Sequence, residues 1–326
     1  MPGSGTSTFT DPDDYQASLR EVRLDLVLTA AGAFNARLTW ATLHQLHLLR
    51  SEEELPRIAY VSLVPTLVFV GFVERADSPV VWDGVELQPG EIVLHSRAEQ
   101  FHQRTTGPFR WCLIGVAPDH LGQYGAALSG KALFLPATAR ILRAAPRNAA
   151  RLVSLHAQAC RLAETRPRIL AHPEVARAVE QGIIHALVTC LSTTRARGDG
   201  IGKRHHERIM VRLEEVLAEH LSRPLRMPEL CARIGTTDRT LRSCCAEFLG
   251  LSPTRYVLLR RLKQTRLILR TADPATANVA DIARECGFTQ LGRFAAAYQT
   301  IFGETPSATL RRPPGSGLTP IFAESA

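Results

Sequence analysis

Between residues 228 and 303 one helical pattern occurs twice, and a chain carrying it must fold at least its last third as paired helices. The first copy runs from Pro228 to Phe248. Leu230 and Ile234 mark the inner face of a short helix, and Gly235 permits the sharp turn after it. Thr237 can cap the next helix by accepting a backbone N–H bond. Leu241, Cys245 and Phe248 then recur at i, i+4 and i+7, one buried stripe, with Arg239, Arg242 and Ser243 on the opposite face. The second copy runs from Val279 to Phe302. Ile282 and Ala283 lead to Gly287, Thr289 is the predicted cap, and Phe294, Tyr298 and Ile301 repeat the stripe. Each copy reads as a helix-turn-helix, the second with a turn one residue longer.

Charge concentrates in the same region. The chain of 326 residues carries a formal charge of +8, and residues 205–312 hold 17 Lys and Arg against 11 Asp and Glu. Residues 239–270, which join the two units, hold eight basic residues against the single Glu247. A solvated basic face need not cluster between two such helices. A polyanion partner explains the clustering, because neutralising phosphates drives non-specific nucleic-acid affinity.

These residues resemble the AraC/XylS family of bacterial transcription regulators. The run Gly287, Phe288, Phe294, Tyr298, Phe302, Gly303, Thr305 and Pro306 before Leu310 and Arg311 is close to that family's C-terminal signature. The resemblance covers residues 205–312 and implies a sequence-specific DNA-binding activator with double-stranded promoter DNA as partner. It further implies a cupin-like sensor domain for a small-molecule effector, pairing into a homodimer, contact with RNA polymerase, and neither cofactor nor catalysis. Carried over position by position, Arg239, Arg242 and Ser243 read bases from the first helix, with Thr237 at its start. Gln290 and Arg293 orient the second helix or hold phosphate. Arg260, Arg261, Lys263 and Arg266, on a joining helix at 253–269, divide between phosphate contacts and packing. The sequence departs from the family at Ala296, where an arginine is usual. Alanine offers a base only apolar contact, so the first unit should supply most of the specificity and the second affinity and register.

The remaining chain reads as an α+β multidomain protein. Residues 1–18, rich in Gly, Ser, Thr, Asp and Pro, suggest a disordered arm. Short alternating segments at 37–48, Arg57–Leu63, Thr66–Val73, Val80–Trp82, Glu91–His95 and Phe109–Val116 suggest a β-sandwich or barrel. The stretch from Leu87 to Leu94 looks like part of a cupin-like jelly roll, so residues 19–194 are expected to be a β-barrel sensor with a helical dimerisation segment. Helices are expected at 119–128, 137–145, 148–164 and 173–194. A glycine-bearing linker at 195–204 precedes the DNA-binding domain, whose first helix spans 205–221, and 313–326 is a tail. Seven cysteines without a Cys-x-x-Cys pair fit reduced, buried thiols. No signal peptide and no apolar run of about 18 residues is present, which predicts a cytoplasmic protein away from membranes.

Other chemistry finds little footing. His95, Glu99 and His102 follow the jelly-roll turn, but a metal needs a further ligand, and His44 and His47 lie on an earlier strand. No metal site is assigned. Ser129 and Ser154 lack a nucleophile setting, and the glycines at 198–202 do not follow a strand, as a dinucleotide site requires. Trp40, Trp82 and Trp111 fall on predicted strands, either as core or as walls of an effector pocket. Val179, Ile183 and Leu187 form an apolar stripe on the 173–194 helix, read as a dimer seam against the alternative of internal packing. A metal-dependent cupin enzyme fused to a DNA-binding domain, and a regulator controlled by abundance or a protein partner, are the competing readings.

Overall fold

The computed structural model describes residues 2–19, 22–130, 132–133, 136, 138–197, 201–220 and 225–312. The expected tail at 313–326, Leu221 and the middle of the expected linker lie outside the described residues. In chain order the first half contains β1 (Gly3–Phe9), α1 (Pro12–Ser18), β2 (Val22–Leu28), β3 (Ala36–Thr42), β4 (Leu46–Glu53), β5 (Arg57–Leu63) and β6 (Val68–Ala76). There follow β7 (Val80–Trp82), β8 (Val85–Glu86), β9 (Glu91–Leu94), β10 (Gln100–Thr105), β11 (Phe109–Val116) and α2 (Pro118–Ser129). Then come β12 (Arg140–Arg143), α3 (Pro146–Thr165), α4 (Pro167–Leu170), α5 (Pro173–Ser192) and β13 (Arg195–Ala196). The last third is helical: α6 (Ile201–Glu219), α7 (Met227–Ile234), α8 (Asp238–Leu249), α9 (Pro253–Thr271), α10 (Val279–Glu285), α11 (Leu291–Phe302) and α12 (Pro306–Arg311).

The strands form two antiparallel sheets. The larger runs β1-β3-β4-β11-β6-β9-β12-β13 and the smaller β2-β5-β10-β7-β8. The period-2 alternation of strands explains the layering. On β11, Phe109, Trp111 and Leu113 face the space between the sheets, whereas Cys112, Ile114 and Val116 face a second core formed with α2, α3 and α5. On β2, Leu24 and Leu26 face the larger sheet while Asp25 faces α9. The order of layers is therefore helices, larger sheet, smaller sheet, helical C-terminal domain. The expected barrel is corrected: among the described residues no ladder joins the two sheets, whose edges β1, β13, β2 and β8 stay open.

Three further expectations change. The predicted disordered arm is ordered, because β1 pairs with β3 along its whole length and Asp11 caps α1 by accepting from Asp13 N and Asp14 N. Gly5 lets β1 lie close against Trp40, since a Cβ there would stand 3.2 Å from Trp40 Nε1. The helix expected at 137–145 is instead β12, where Ile141 faces the inter-sheet core and Leu142 the helical one, and Pro146 starts the next helix. The linker is short, since β13 occupies 195–196 and α6 begins at Ile201.

The apolar stripe of α5 is internal, which corrects the expected seam. Ile183 and Leu187 are 0% and 1% exposed and, with partly buried Val179, pack in the core formed with α3 and the larger sheet. Glu180 fixes the helix in place by accepting from Gln45 N (2.6 Å) and Leu46 N (3.1 Å) in the β3–β4 turn. We expect Leu187→Ala to cost about 2–5 kcal/mol of stability, read by chemical denaturation, with the association state unchanged by size-exclusion chromatography. A variant of unaltered stability that changes oligomeric state would restore the seam.

Candidate functional site

The helical domain builds its two outward faces by the same local rules. Gly235 ends α7 in the left-handed region (φ 76°), and Thr237 Oγ1 accepts from Thr240 N (3.1 Å) to start α8. Leu241, Cys245 and Phe248 are buried beneath it, which leaves Arg239, Arg242, Ser243 and Ala246 exposed along one side. Arg242 is 58% exposed and pairs with Asp238 one turn back, the geometry of a guanidinium held ready on a surface. In the second unit Gly287 takes φ 80° and Phe294, Tyr298 and Ile301 form the buried stripe. Gly292, Arg293, Ala295, Ala296 and Gln299 are exposed. The expected cap differs: Gln290, not Thr289, occupies the start of α11 and makes no side-chain cap bond, while Asn278 caps α10. Tyr298 donates to Thr309 Oγ1 (2.8 Å), which ties α12 to this unit.

The joining helix α9 turns away from solvent. Arg260 pairs with Asp25 on β2 and with Glu214 on α6 (3.3 Å), and Lys263 pairs with Asp25 as well. Arg266 is 4% exposed and pairs with Asp11 (2.5 Å), Asp13 and Glu304. Arg270 meets Asp11, Asp13 and Asp14, the last at 2.9 Å. Of the four cations expected to divide between phosphate contacts and packing, Arg260, Lys263 and Arg266 are engaged with carboxylates, Asp25 for the first two and Asp11 and Asp13 for the third. Arg261 lies over the Phe288 ring at 5.3 Å and packs the turn before α11. Sequence reading missed this part of the interlock because Asp11, Asp13 and Asp14, the acids that meet Arg266 and Arg270, come from the segment read as a disordered arm. The signal was present in Asp11, Asp13 and Asp14, a dense acidic run in a chain that carries so basic a helix.

Beneath it lies a second contact. His102 Nε2 on β10 donates to Glu214 Oε1 (2.9 Å), which also accepts from Tyr256 of α9. The β7–β8 turn rests on α8, where a Cβ at Gly84 would meet Glu247 Cγ at 2.9 Å. His95 instead faces Glu99 (3.3 Å), so the two histidines considered for a metal diverge to different partners. Among the described residues no group of three or more His, Cys, Asp or Glu side chains is placed to hold a metal ion. No helix there is long and apolar enough to cross a membrane. All seven cysteines are buried free thiols.

A cavity of about 50 Å³ lies between the sheets, walled by Leu24, Val61, Trp82, Phe101, Trp111 and Leu113. Of the three tryptophans considered for an effector pocket, Trp82 and Trp111 line it, while Trp40 lies against Gly3 and Gly5 of β1.

The last third of the chain is thus a double helix-turn-helix domain. A family model described as a helix-turn-helix domain matches residues 230–312. The segment is of the AraC/XylS type. It is 36% identical over 100 residues to a probable thc operon regulatory protein of Rhodococcus erythropolis, covering 31% of this chain and 30% of that protein. It is 32% identical over 101 residues to the XylDLEGF operon transcriptional activator of Pseudomonas putida, covering 31% and 32%. The chain therefore matches about a third of the length of these curated relatives. Among solved structures it is similar to the AraC-like transcriptional activator CuxR, at 16% identity and a TM-score of 0.41 over 80% of this chain and 94% of that one. A probable AraC family regulator from Rhodopseudomonas palustris CGA009 matches at 33% identity and a TM-score of 0.29, over 32% and 94%.

The interlock carries a pH dependence. Burial alone would raise the Asp25 carboxyl, but the charges of Lys263 and Arg260 hold it below its ordinary 3.8. Asp11 is lowered in the same way, burial being outweighed by Arg266 and Arg270. Asp13 moves upward, because burial and the Asp11 charge outweigh Arg266. A carboxylate lowered in the folded state adds stability at neutral pH, which is lost as pH falls through its folded value. Asp11 and Asp25 therefore weaken the interlock only below about pH 4, and Asp13 opposes them in part. At neutral pH we expect Asp25→Asn to leave Arg260 and Lys263 under-compensated and to speed deuterium uptake at α9 and β2 several-fold. Unchanged uptake would show that the pairs do not hold α9.

Proposed function

We propose that the chain is a cytoplasmic, sequence-specific DNA-binding transcription regulator, acting as a homodimer on promoter DNA under control of a small molecule bound in the N-terminal domain. The observation that carries it is the pair of exposed faces on α8 and α11, each built on a buried stripe and presented by a matched helix-turn-helix. Two such helices joined by one rigid helix suit successive major grooves on one side of a duplex, about 34 Å apart. The local matches to operon regulators support the same reading. Two-fold pairing doubles the DNA contacts, through a surface other than the buried α5 stripe. RNA polymerase is the partner such a regulator would address as an activator. The domain has no assigned catalytic group, and the reading is of a regulator and not an enzyme.

Within this reading Arg239, Arg242 and Ser243 read bases, Thr237 and Gln290 set the helix starts, and Arg293 holds phosphate. Arg242 can place two hydrogen bonds on guanine O6 and N7, worth roughly 1–3 kcal/mol of discrimination. Ala295 and Ala296 give α11 only apolar contact with bases. The test is binding of the full chain to a library of duplexes randomised in each half-site. Wild type should select sequence and lose affinity steeply with salt. Arg242→Ala should relax base preference in one half-site, and Arg293→Ala should weaken all sequences about equally. A site whose sharper half is the one read by α11 would reverse this division, and salt-independent or absent binding would remove the regulator reading.

A further inference from the structure

The cavity between the sheets has a polarity pattern that selects a ligand class. Its walls are the apolar side chains of β2, β5, β10 and β11 together with two indole rings. Arg57 also borders it, and a buried guanidinium would ordinarily invite a carboxylate. Here that role is taken. Arg57 Nε pairs with Glu53 (2.9 Å), Nη1 bonds Gln103 O (3.1 Å), Nη2 bonds Gln103 Oε1 (2.7 Å), and the plane covers the Phe109 ring at 4.6 Å. Glu53 in turn accepts from Tyr15 (2.7 Å) and Trp111 Nε1 (2.6 Å). An entering carboxylate would share one cation with a carboxylate already buried beside it, and burying that second anion is costly.

His95 offers a polar atom to a ligand. His95 is nine-tenths buried and borders the cavity, stacked on Phe101 (4.8 Å between ring centres) and edge-on to Trp82. Its Nδ1 faces Glu99 Oε2 (3.3 Å), which is also held by Ser96 N (2.8 Å). That carboxylate selects the tautomer with hydrogen on Nδ1, so Nε2 presents a lone pair. Nε2 lies where Gly71 has no side chain, since a Cβ there would stand 3.0 Å away. Among the described residues Nε2 has no hydrogen-bond partner.

The geometry points to an inter-sheet site for a neutral, single-ring aromatic molecule with one O–H or N–H donor, which gives its hydrogen to His95 Nε2. The assignment deepens the effector reading above and rests on it. The ring needs more room than about 50 Å³, since a cavity near 150 Å³ is what takes benzene. Trp82 and Leu87, on the short β7–β8 hairpin and the segment after it, are the wall placed to yield.

The test uses the full chain and three probes of similar size: phenol, toluene and benzoate, followed by tryptophan fluorescence and calorimetry. Phenol should bind saturably and about tenfold more tightly than toluene, the factor one neutral hydrogen bond supplies, and benzoate should bind more weakly than both. His95→Phe should make phenol and toluene equal. Val93→Phe, which fills the cavity, should abolish binding while circular dichroism stays native; if that variant does not fold, Leu113→Phe serves in its place. Benzoate binding as tightly as phenol, no saturable phenol binding, phenol preference kept in His95→Phe, or binding kept in the filled variants would each overturn the assignment. DNA binding is measured separately, so a chain that binds DNA but not phenol rejects the ligand class and leaves the regulator reading standing.

Discussion

The arrangement of the two halves depends on neutralising the inner face of α9. A guanidinium as buried as that of Arg266, at 4% exposure, costs several kcal/mol unless carboxylates surround it. Those carboxylates come from the opposite end of the chain: Asp11 and Asp13 at the start of α1, and Asp25 on β2 for Arg260 and Lys263. Each half on its own presents like charges packed together. Asp11, Asp13 and Asp14 repel one another without Arg266 and Arg270, and the four cations of α9 repel one another without the acids. Docking removes both repulsions together. It also orders the first residues of the chain, because α1 holds its position partly through these bonds and partly through Tyr15, buried between Phe9 and Phe34.

The charge so used is withdrawn from any nucleic-acid contact in this arrangement. The base-reading candidates Arg239 and Arg242 stay exposed, yet Arg260, Lys263, Arg266 and Arg270 already have partners. Under the proposed function, phosphate affinity in the docked chain would come from other cations, such as Arg255 and Arg293 on the exposed surface. A composition count treats all basic residues alike, whereas the structure divides them by partner.

That division marks where sequence reading stopped. Helix stripes were legible because a helix that buries one side repeats it every three to four residues: Leu241, Cys245 and Phe248 carry that signal whatever they pack against. Most strands were legible for the matching reason, and Arg57–Leu63, Val80–Trp82 and Phe109–Val116 have the expected bounds. The partner of a buried face is not local information. The α5 stripe looks the same whether it meets a second chain or, as found, the larger sheet. Asp11 and Arg266 are far apart in sequence, so no window on either side contains the pair. β12 failed for a related reason, since four residues between loops cannot show a period. The closed barrel failed because closure depends on whether edge strands meet, which alternation within each strand does not encode.

The smaller sheet touches both the cavity and the helical domain. Its inner face walls the cavity with Leu24, Val61 and Phe101, and its outer face supports the helical domain with Asp25 and His102. The β7–β8 hairpin does both within three residues. Trp82 faces the cavity, while Asp83 and Gly84 form a tight turn with positive φ at both positions (43° and 74°). That turn lies within about 3 Å, measured from a Cβ at Gly84, of Glu247 and Phe248 on α8. Phe248 is the last residue of the stripe that positions Arg239 and Arg242. The wall of the cavity and the helix that carries Arg239 and Arg242 are therefore one turn apart.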